Sequence, residues 1–318
     1  MTFDVVTLGE AMALFVAESP GPLEGVMQFA KRTAGAETNV AIGLARLGLR
    51  VGWASRLGDG SMGRYLLAAI AAEGVDCSRV SRHGGERTGF MFKGRVVDGS
   101  DPPIEYHRAG SAASRFGVDD LDEAWIAGAR HLHASGVFAA LSASTLAATR
   151  RALALARARG LTIGFDPNLR PTLWPSREVM RETINDLAAH ANWVLPGIEE
   201  GRALTGADTP EAIARFYRER GAERVVVKLG AEGAYFDDID AGTGRVPAFP
   251  VAEVIDTVGA GDAFLVGVTS ALLEGRGIAD AAGRGAWFGA RAVQVRGDTE
   301  GLPTRAQLQA FERGVHGA

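Results

Sequence analysis

Residues 256–264 read "DTVGAGDAF". The stretch follows the apolar run "VAEVI" (251–255) and leads into "AFLVGVTSALLEG" (263–275), which reads as a helix. Small residues at 259, 260 and 261 strip side chains from the point where the helix begins. Backbone N–H groups there can approach an anion with no Cβ in the way, and the helix N-terminus adds its partial positive charge. That combination suits a phosphate gaining charge in a transition state. Asp262 then stands where it can take a proton from a hydroxyl attacking that phosphate. Capping the helix would explain Asp262 alone. It would not explain the Gly-Ala-Gly before it.

Outward from this stretch the chain alternates strands and helices. "FDVVTLGEA" (3–11) and "RVGWASRLG" (50–58) read as buried strands, and "AETNVAIGLARLG" (36–48) between them carries Val40, Ala41, Leu44, Ala45 and Leu47 at helical spacing, with Gly48 as a stop. The strands "ARHLHAS" (129–135), "LTIGFDPN" (161–168), "NWVLPG" (192–197) and "ERVVVKLG" (223–230) are separated by helical stretches. This rhythm predicts an α/β fold, a doubly wound and mostly parallel sheet flanked by helices. Ligands of such sheets bind at the carboxyl ends of the strands. Residues 88–108, "TGFMFKGRVVDGSDPPIEYHR", break the rhythm and read as a hairpin with "DGSDPP" as its turn. Parts of 11–32 and 88–109 are therefore expected to form a small β-sheet lid on a single domain spanning 1–318.

Composition narrows the function class. The net charge is −4, with 23% charged and 47% hydrophobic residues, so no broad basic surface argues for nucleic acid or anionic membrane. No apolar run approaches the ~18 residues of a membrane helix. Cys77 is the lone cysteine, and the N-terminus reads as a strand rather than a leader, so a cytoplasmic location is expected. Among 34 basic residues only Lys31, Lys93 and Lys228 are lysines, and Lys228 sits in an apolar run. His131 and His133 share one strand face without a third metal ligand and read as a half-buried structural pair.

"DTVGAGDAF" resembles the C-terminal signature of the ribokinase-like (PfkB) carbohydrate kinases. "AGAETNVAIGLARLG" (34–48), running into "RVGWASRLGDGSMG" (50–63), resembles their N-terminal one. Two signatures in the right order are far more specific than either alone, and the similarity extends over essentially the whole chain. The resemblance implies ATP, Mg²⁺ and transfer of the γ-phosphoryl group to a primary sugar hydroxyl. It implies Asp262 as catalytic base and Gly259, Ala260 and Gly261 as anion hole, with Arg170 between substrate and transferred phosphate. Asn168, Lys228, Gly230 and Gly233 fall on the nucleotide side, although a plain turn also accounts for the two glycines. Glu10, Gly35, Asn39, Phe90 and Asp298 fall on the sugar side, Phe90 standing where these kinases commonly place a Tyr. A homo-oligomer is also implied. The chain departs from the family's Asn-x-x-Glu near Mg²⁺: Gly197 replaces the Asn, while Glu200 keeps the carboxylate.

The sugar is less plainly written. "GFDPNLRPTLW" (164–174) is shared by fructokinases and 2-keto-3-deoxygluconate kinases. "IEYHRAGSAASRF" (104–116) resembles the Tyr-x-Arg, Gly-Ser-Ala run of the latter group, and "RGDTEGLP" (296–303) leans the same way. Their substrate carries a carboxylate, which an Arg binds with directional, charge-assisted hydrogen bonds. Tyr106 and Arg108, two apart on a strand, share a face and are the expected clamp. Fructokinase, another sugar or nucleoside kinase, and a non-catalytic sugar sensor remain alternatives. The first strand leads into "GEAMALF" rather than a Gly-x-Gly-x-x-Gly turn, which argues against a dinucleotide oxidoreductase.

Overall fold

The computed structural model describes residues 2–97 and 101–316; residues 98–100 of the expected hairpin turn lie outside these. Thirteen strands occur among the described residues: β1 (Phe3–Leu8), β2 (Met12–Ala17), β3 (Phe29–Ala34), β4 (Val51–Gly58), β5 (Asp76–His83), β6 (Phe90–Lys93), β7 (Ile104–His107), β8 (Ala129–Ser135), β9 (Thr162–Asp166), β10 (Trp193–Val194), β11 (Arg224–Lys228), β12 (Ala234–Asp238) and β13 (Gly242–Val246). Nine of them form one sheet, ordered β13-β12-β11-β10-β9-β8-β1-β4-β5. It is parallel except at the β11–β12 and β12–β13 pairs. The order reverses direction at β1, which lies between β4 and β8, and that crevice is where a doubly wound sheet binds ligands.

The strands are apolar on both sides because helices cover both faces. On β11, Val225 and Val227 join the core cluster that includes Ala148 and Leu153 of helix Ala143–Ala158, while Val226 joins the one that includes Val40, Val266 and Phe288. The strand period of two deals successive residues to opposite faces. Helix Ala260–Leu273 packs closely on helix Ile278–Ala292, where a Cβ on Gly267 would come within 2.6 Å of the Gly285 Cα.

His131 and His133 are fully buried rather than half-buried, because β8 lies inside the covered sheet. Burial pushes their pKa values down to about 3 and about 4, so both rings are neutral. His131 shares a 2.8 Å hydrogen bond with the Thr162 hydroxyl and stacks on Trp193.

The other four strands form a separate sheet, ordered β3-β2-β6-β7, with β2 and β6 parallel and the other pairs antiparallel. Its inner face is aliphatic apart from Lys93, with Met12, Leu14, Val16 and Met91 buried. Its outer face gathers Phe15, Phe29, Phe90, Phe92 and His107 in ring contacts. This is the expected small lid sheet beside the main one.

Candidate active site

A cleft of about 710 Å³ runs between the lid sheet and the carboxyl ends of the central strands. Glu10 follows β1, Asp166 ends β9 and Lys228 ends β11, and all three line the cleft. The volume is in the range of small-molecule sites.

The turn of "DTVGAGDAF" opens onto this cleft. Gly259 is the N-cap of helix Ala260–Leu273 with φ 84°, a left-handed conformation. An added Cβ there would also meet the Asp298 carbonyl oxygen at 2.7 Å. Glycine is thus required twice over at this position. Asp262 lies in the first turn rather than at the cap, so capping does not account for it. At Gly261 a Cβ would meet only the Lys228 ammonium, at 3.8 Å, so nothing in the fold demands glycine and the open side faces the cleft. Gly259 and Gly261 line the cleft; Ala260 does not, and its N–H is turned toward the Thr257 carbonyl at 3.4 Å.

Asp262 borders the open cleft, yet protein surrounds most of it. Burial pushes its pKa up to about 8. The Asn39 side-chain amide, donating to its Oδ2 at 2.7 Å, pulls the other way. The charges of Asp166 and Asp298 push it further up, and Arg170 offsets them. The carboxyl group is therefore tuned toward proton exchange near neutral pH.

Lys228 supplies the positive charge beside the turn. Its ammonium donates to Asp166 at 3.1 Å, and Asp166 also accepts from Asn168 at 3.2 Å. Burial works to lower the Lys228 pKa, but the charges of Asp166 and Glu200 outweigh it and the net shift is upward. Asn168 holds φ 38°, unusual outside glycine, and its buried Oδ1 has no protein partner. Such strain is found where a backbone is shaped for a ligand.

On the opposite wall, Gly35 starts helix Ala36–Arg46 with φ 152°, and a Cβ there would strike the Glu10 carbonyl oxygen at 2.3 Å. Asn39 lies one turn further on, and its buried Oδ1 has no protein partner. Glu10 is buried with both carboxylate oxygens engaged, Oε2 by Arg108 at 2.5 Å and Oε1 by the Ser111 hydroxyl at 2.5 Å. Tyr106, Arg108, Arg170 and Asp298 all line the cleft, and Arg170 also donates to the Leu169 carbonyl.

Two further expected positions, Phe90 and Gly233, lie off this cleft. The Phe90 ring lies on the outer face of the lid, stacked on His107 at 4.6 Å, and its neighbour Met91 lines the cleft. Gly233 is away from the cleft; its φ of 95° and the Val246 carbonyl, 2.0 Å from an added Cβ, account for it structurally. Gly230, with φ 60° and open space around it, does line the cleft. Glu200 lines it as well, but its oxygens accept from the Leu169 and Gly197 N–H groups, each at 2.8 Å. No cluster of three metal-ligating side chains occurs among the described residues.

Glu37 escaped sequence reasoning. It lines the cleft, is 1% exposed, bonds the Ser135 hydroxyl, and burial raises its pKa to about 7. Its only trace in the sequence is an acid at the start of an apolar helix. No helix among the described residues is long and apolar enough to cross a membrane.

The sequence profile of the "pfkB family carbohydrate kinase" matches residues 2–305. A 2-dehydro-3-deoxygluconokinase of Bacillus subtilis (strain 168) is 47% identical over 320 residues, covering 99% of this chain and 98% of that protein. The crystal structure of a PfkB protein from Polaromonas sp. JS666 superimposes with a TM-score of 0.90 at 66% identity, covering 97% of this chain and 99% of that one. A putative ribokinase II from E. coli, solved in complex with ATP and Mg²⁺, gives a TM-score of 0.90 at 26% identity, with coverage of 98% and 99%.

Proposed function

The chain belongs to the pfkB family of carbohydrate kinases, and from that premise we propose that it uses ATP to phosphorylate 2-keto-3-deoxygluconate (2-dehydro-3-deoxygluconate) at its 6-hydroxyl. The observation that carries the reaction is the placing of Asp262 beside the left-handed turn at Gly259, within a cleft that Lys228 also faces. The full-length similarity to a 2-dehydro-3-deoxygluconokinase supports the sugar acid.

As the 6-hydroxyl oxygen bonds to the γ-phosphorus, the bond from that phosphorus to the β–γ bridging oxygen breaks and ADP leaves with the electron pair; Asp262 takes the hydroxyl proton and later returns it to solvent. The 259 and 261 amides and the Lys228 ammonium face the negative charge that grows on the transferred group. Arg170 borders the same space. Asn39 offers its unpartnered Oδ1 to a sugar hydroxyl. Arg108, its plane fixed by Glu10, and Tyr106 receive the carboxylate end of the sugar acid. Asn168 and Gly230 border the nucleotide phosphates.

Bound ATP would supply the phosphoryl group, and Mg²⁺ accompanying it would offset the charge of its phosphates. The carboxylates present suit a metal held chiefly by phosphate and water, since Glu200 is already committed to two backbone N–H groups. We expect a cytoplasmic homo-oligomer; light scattering that finds only monomer refutes the assembly.

ADP release measured with 2-keto-3-deoxygluconate, fructose, ribose and adenosine tests the reading. The keto acid should give the highest kcat/KM. Turnover of fructose without the keto acid refutes the substrate assignment.

A further inference from the structure

Lys93 has no part in the reaction as described above, yet it is among the largest fully buried side chains, 1% exposed. It lies on β6, where Phe90 and Phe92 face outward and Met91 and Lys93 face inward. Its ammonium is 2.7 Å from Asp256 Oδ2 and 2.9 Å from Asp298 Oδ1, each of these residues itself buried. The charges of the two carboxylates keep it protonated against the effect of burial.

The two carboxylates belong to the two segments that build the anion turn. Asp256 opens "DTVGAGDAF" and accepts from the Val258 N–H at 3.1 Å and, across the fold, from the Gly297 N–H at 3.2 Å. Asp298 lies directly behind Gly259, its carbonyl oxygen 2.7 Å from where a Cβ would stand. One ammonium on the lid thus joins both segments. Without it, two carboxylates share a buried space with no cation between them, and their repulsion drives the two segments apart.

We propose that Lys93 is a positioning residue for phosphoryl transfer: its ammonium clamps Asp256 to Asp298 and so fixes the 259–261 turn against the lid. The proposal rests on the reading of that turn as the phosphoryl-binding element. A displaced turn misdirects its amides in the transition state more than it weakens substrate binding, so the effect falls on kcat.

Full-length Lys93→Ala provides the test. Its kcat should fall about 30-fold or more, in line with losing part of a preorganised anion hole, while the KM values for sugar acid and ATP change less than about threefold. Added ammonium or propylammonium should recover part of that kcat and leave the wild type unchanged. Near-wild-type kcat in folded Lys93→Ala overturns the proposal. So does a loss confined to KM, or a loss that no cation restores and that follows the melting of the variant. If Lys93→Ala does not fold, Asp256→Asn carries the same test: a kcat-selective loss supports the clamp, and wild-type kcat overturns it. Wild-type turnover measured alongside separates the two levels, since no turnover with any sugar sinks the kinase reading itself.

Discussion

With Asp262 as the proposed base, its hydrogen bond from Asn39 is expected to set the pH at which that base is ready, and Asn39→Leu tests this. The variant keeps the branched heavy-atom outline of the side chain and removes the donor that lies 2.7 Å from Asp262 Oδ2. A hydrogen bond to a charged group contributes roughly 1.5–3 kcal/mol. At 1.36 kcal/mol per unit this corresponds to an upward pKa shift of about one to two units. Asp262 already stands at about 8 in the free protein. Only the ionised carboxylate accepts a proton, so activity rises as pH passes upward through that value. In the variant the rise should move to roughly pH 9–10, lowering kcat/KM at pH 7 by about 10- to 100-fold. Profiles of kcat/KM from pH 6 to 10.5, followed by ADP release, report the free enzyme. The two curves should converge at the alkaline end. Asn39 Oδ1 is also unpartnered and is the atom proposed to meet a sugar hydroxyl, and losing that contact alone would scale the whole curve by one factor. Parallel profiles with an unmoved acid limb refute the tuning argument.

Other expectations follow from the same geometry. Asp262→Asn should lower kcat by about 10³-fold, within the usual contribution of a general base, with ATP binding by calorimetry little changed; near-normal turnover refutes the base assignment. Arg108→Gln should reduce kcat/KM for the sugar acid at least tenfold more than for fructose, since a bidentate carboxylate contact is lost; equal losses refute the anchor. Glu37 is 1% exposed with its pKa raised from 4.5 to about 7, so the folded state holds that proton more tightly than the unfolded state. Its contribution to stability is full below about pH 4.5 and declines as pH rises through about 7, by a total of order 3 kcal/mol. Glu37→Gln should remove that decline in urea unfolding measured between pH 5 and 8; an unchanged slope refutes the burial argument.

What the sequence displays is what the backbone does locally. The left-handed conformation of Gly259 and the helix start behind it are set by neighbours in the chain, so "DTVGAGDAF" announces a glycine-lined helix N-terminus, even though the Asp298 carbonyl that also requires glycine there leaves no local trace. The buried strands announce themselves because helices cover both faces and both sets of alternating residues must be apolar. Facing within the lid is different. Phe90 and Met91 are adjacent apolar residues, and a shift of one position exchanges the faces. Only the pairing of β6 with β2 and β7 settles that Met91 looks into the cleft. Gly230 and Gly233 likewise look alike in sequence. The carbonyl that requires glycine at 233 belongs to Val246, brought there by the β12–β13 pairing.

Charge pairs across the fold are the least legible, because partners far apart in the chain leave no local pattern. Glu37 meets Ser135, and Lys93 meets Asp298 across 205 residues. Yet lysine usage does leave a trace. In a chain where only three of 34 basic residues are lysines, two of the three lie between or beside carboxylates at the site. Lys228 bonds Asp166, and Lys93 joins Asp256 to Asp298. The third, Lys31, rests over the Tyr65 ring. Arginine presents a planar fork that matches one carboxylate side-on, whereas an ammonium is a compact charge with three rotatable donors. At Lys93 the compact donor reaches both carboxylates, at 2.7 and 2.9 Å, although a guanidinium can also join two segments, as Arg284 does between Glu274 and Glu312. Lys228 differs: it bonds one carboxylate, Asp166, and its ammonium lies 3.8 Å from where a Gly261 Cβ would stand, so its compact charge borders the turn without a planar fork crowding it.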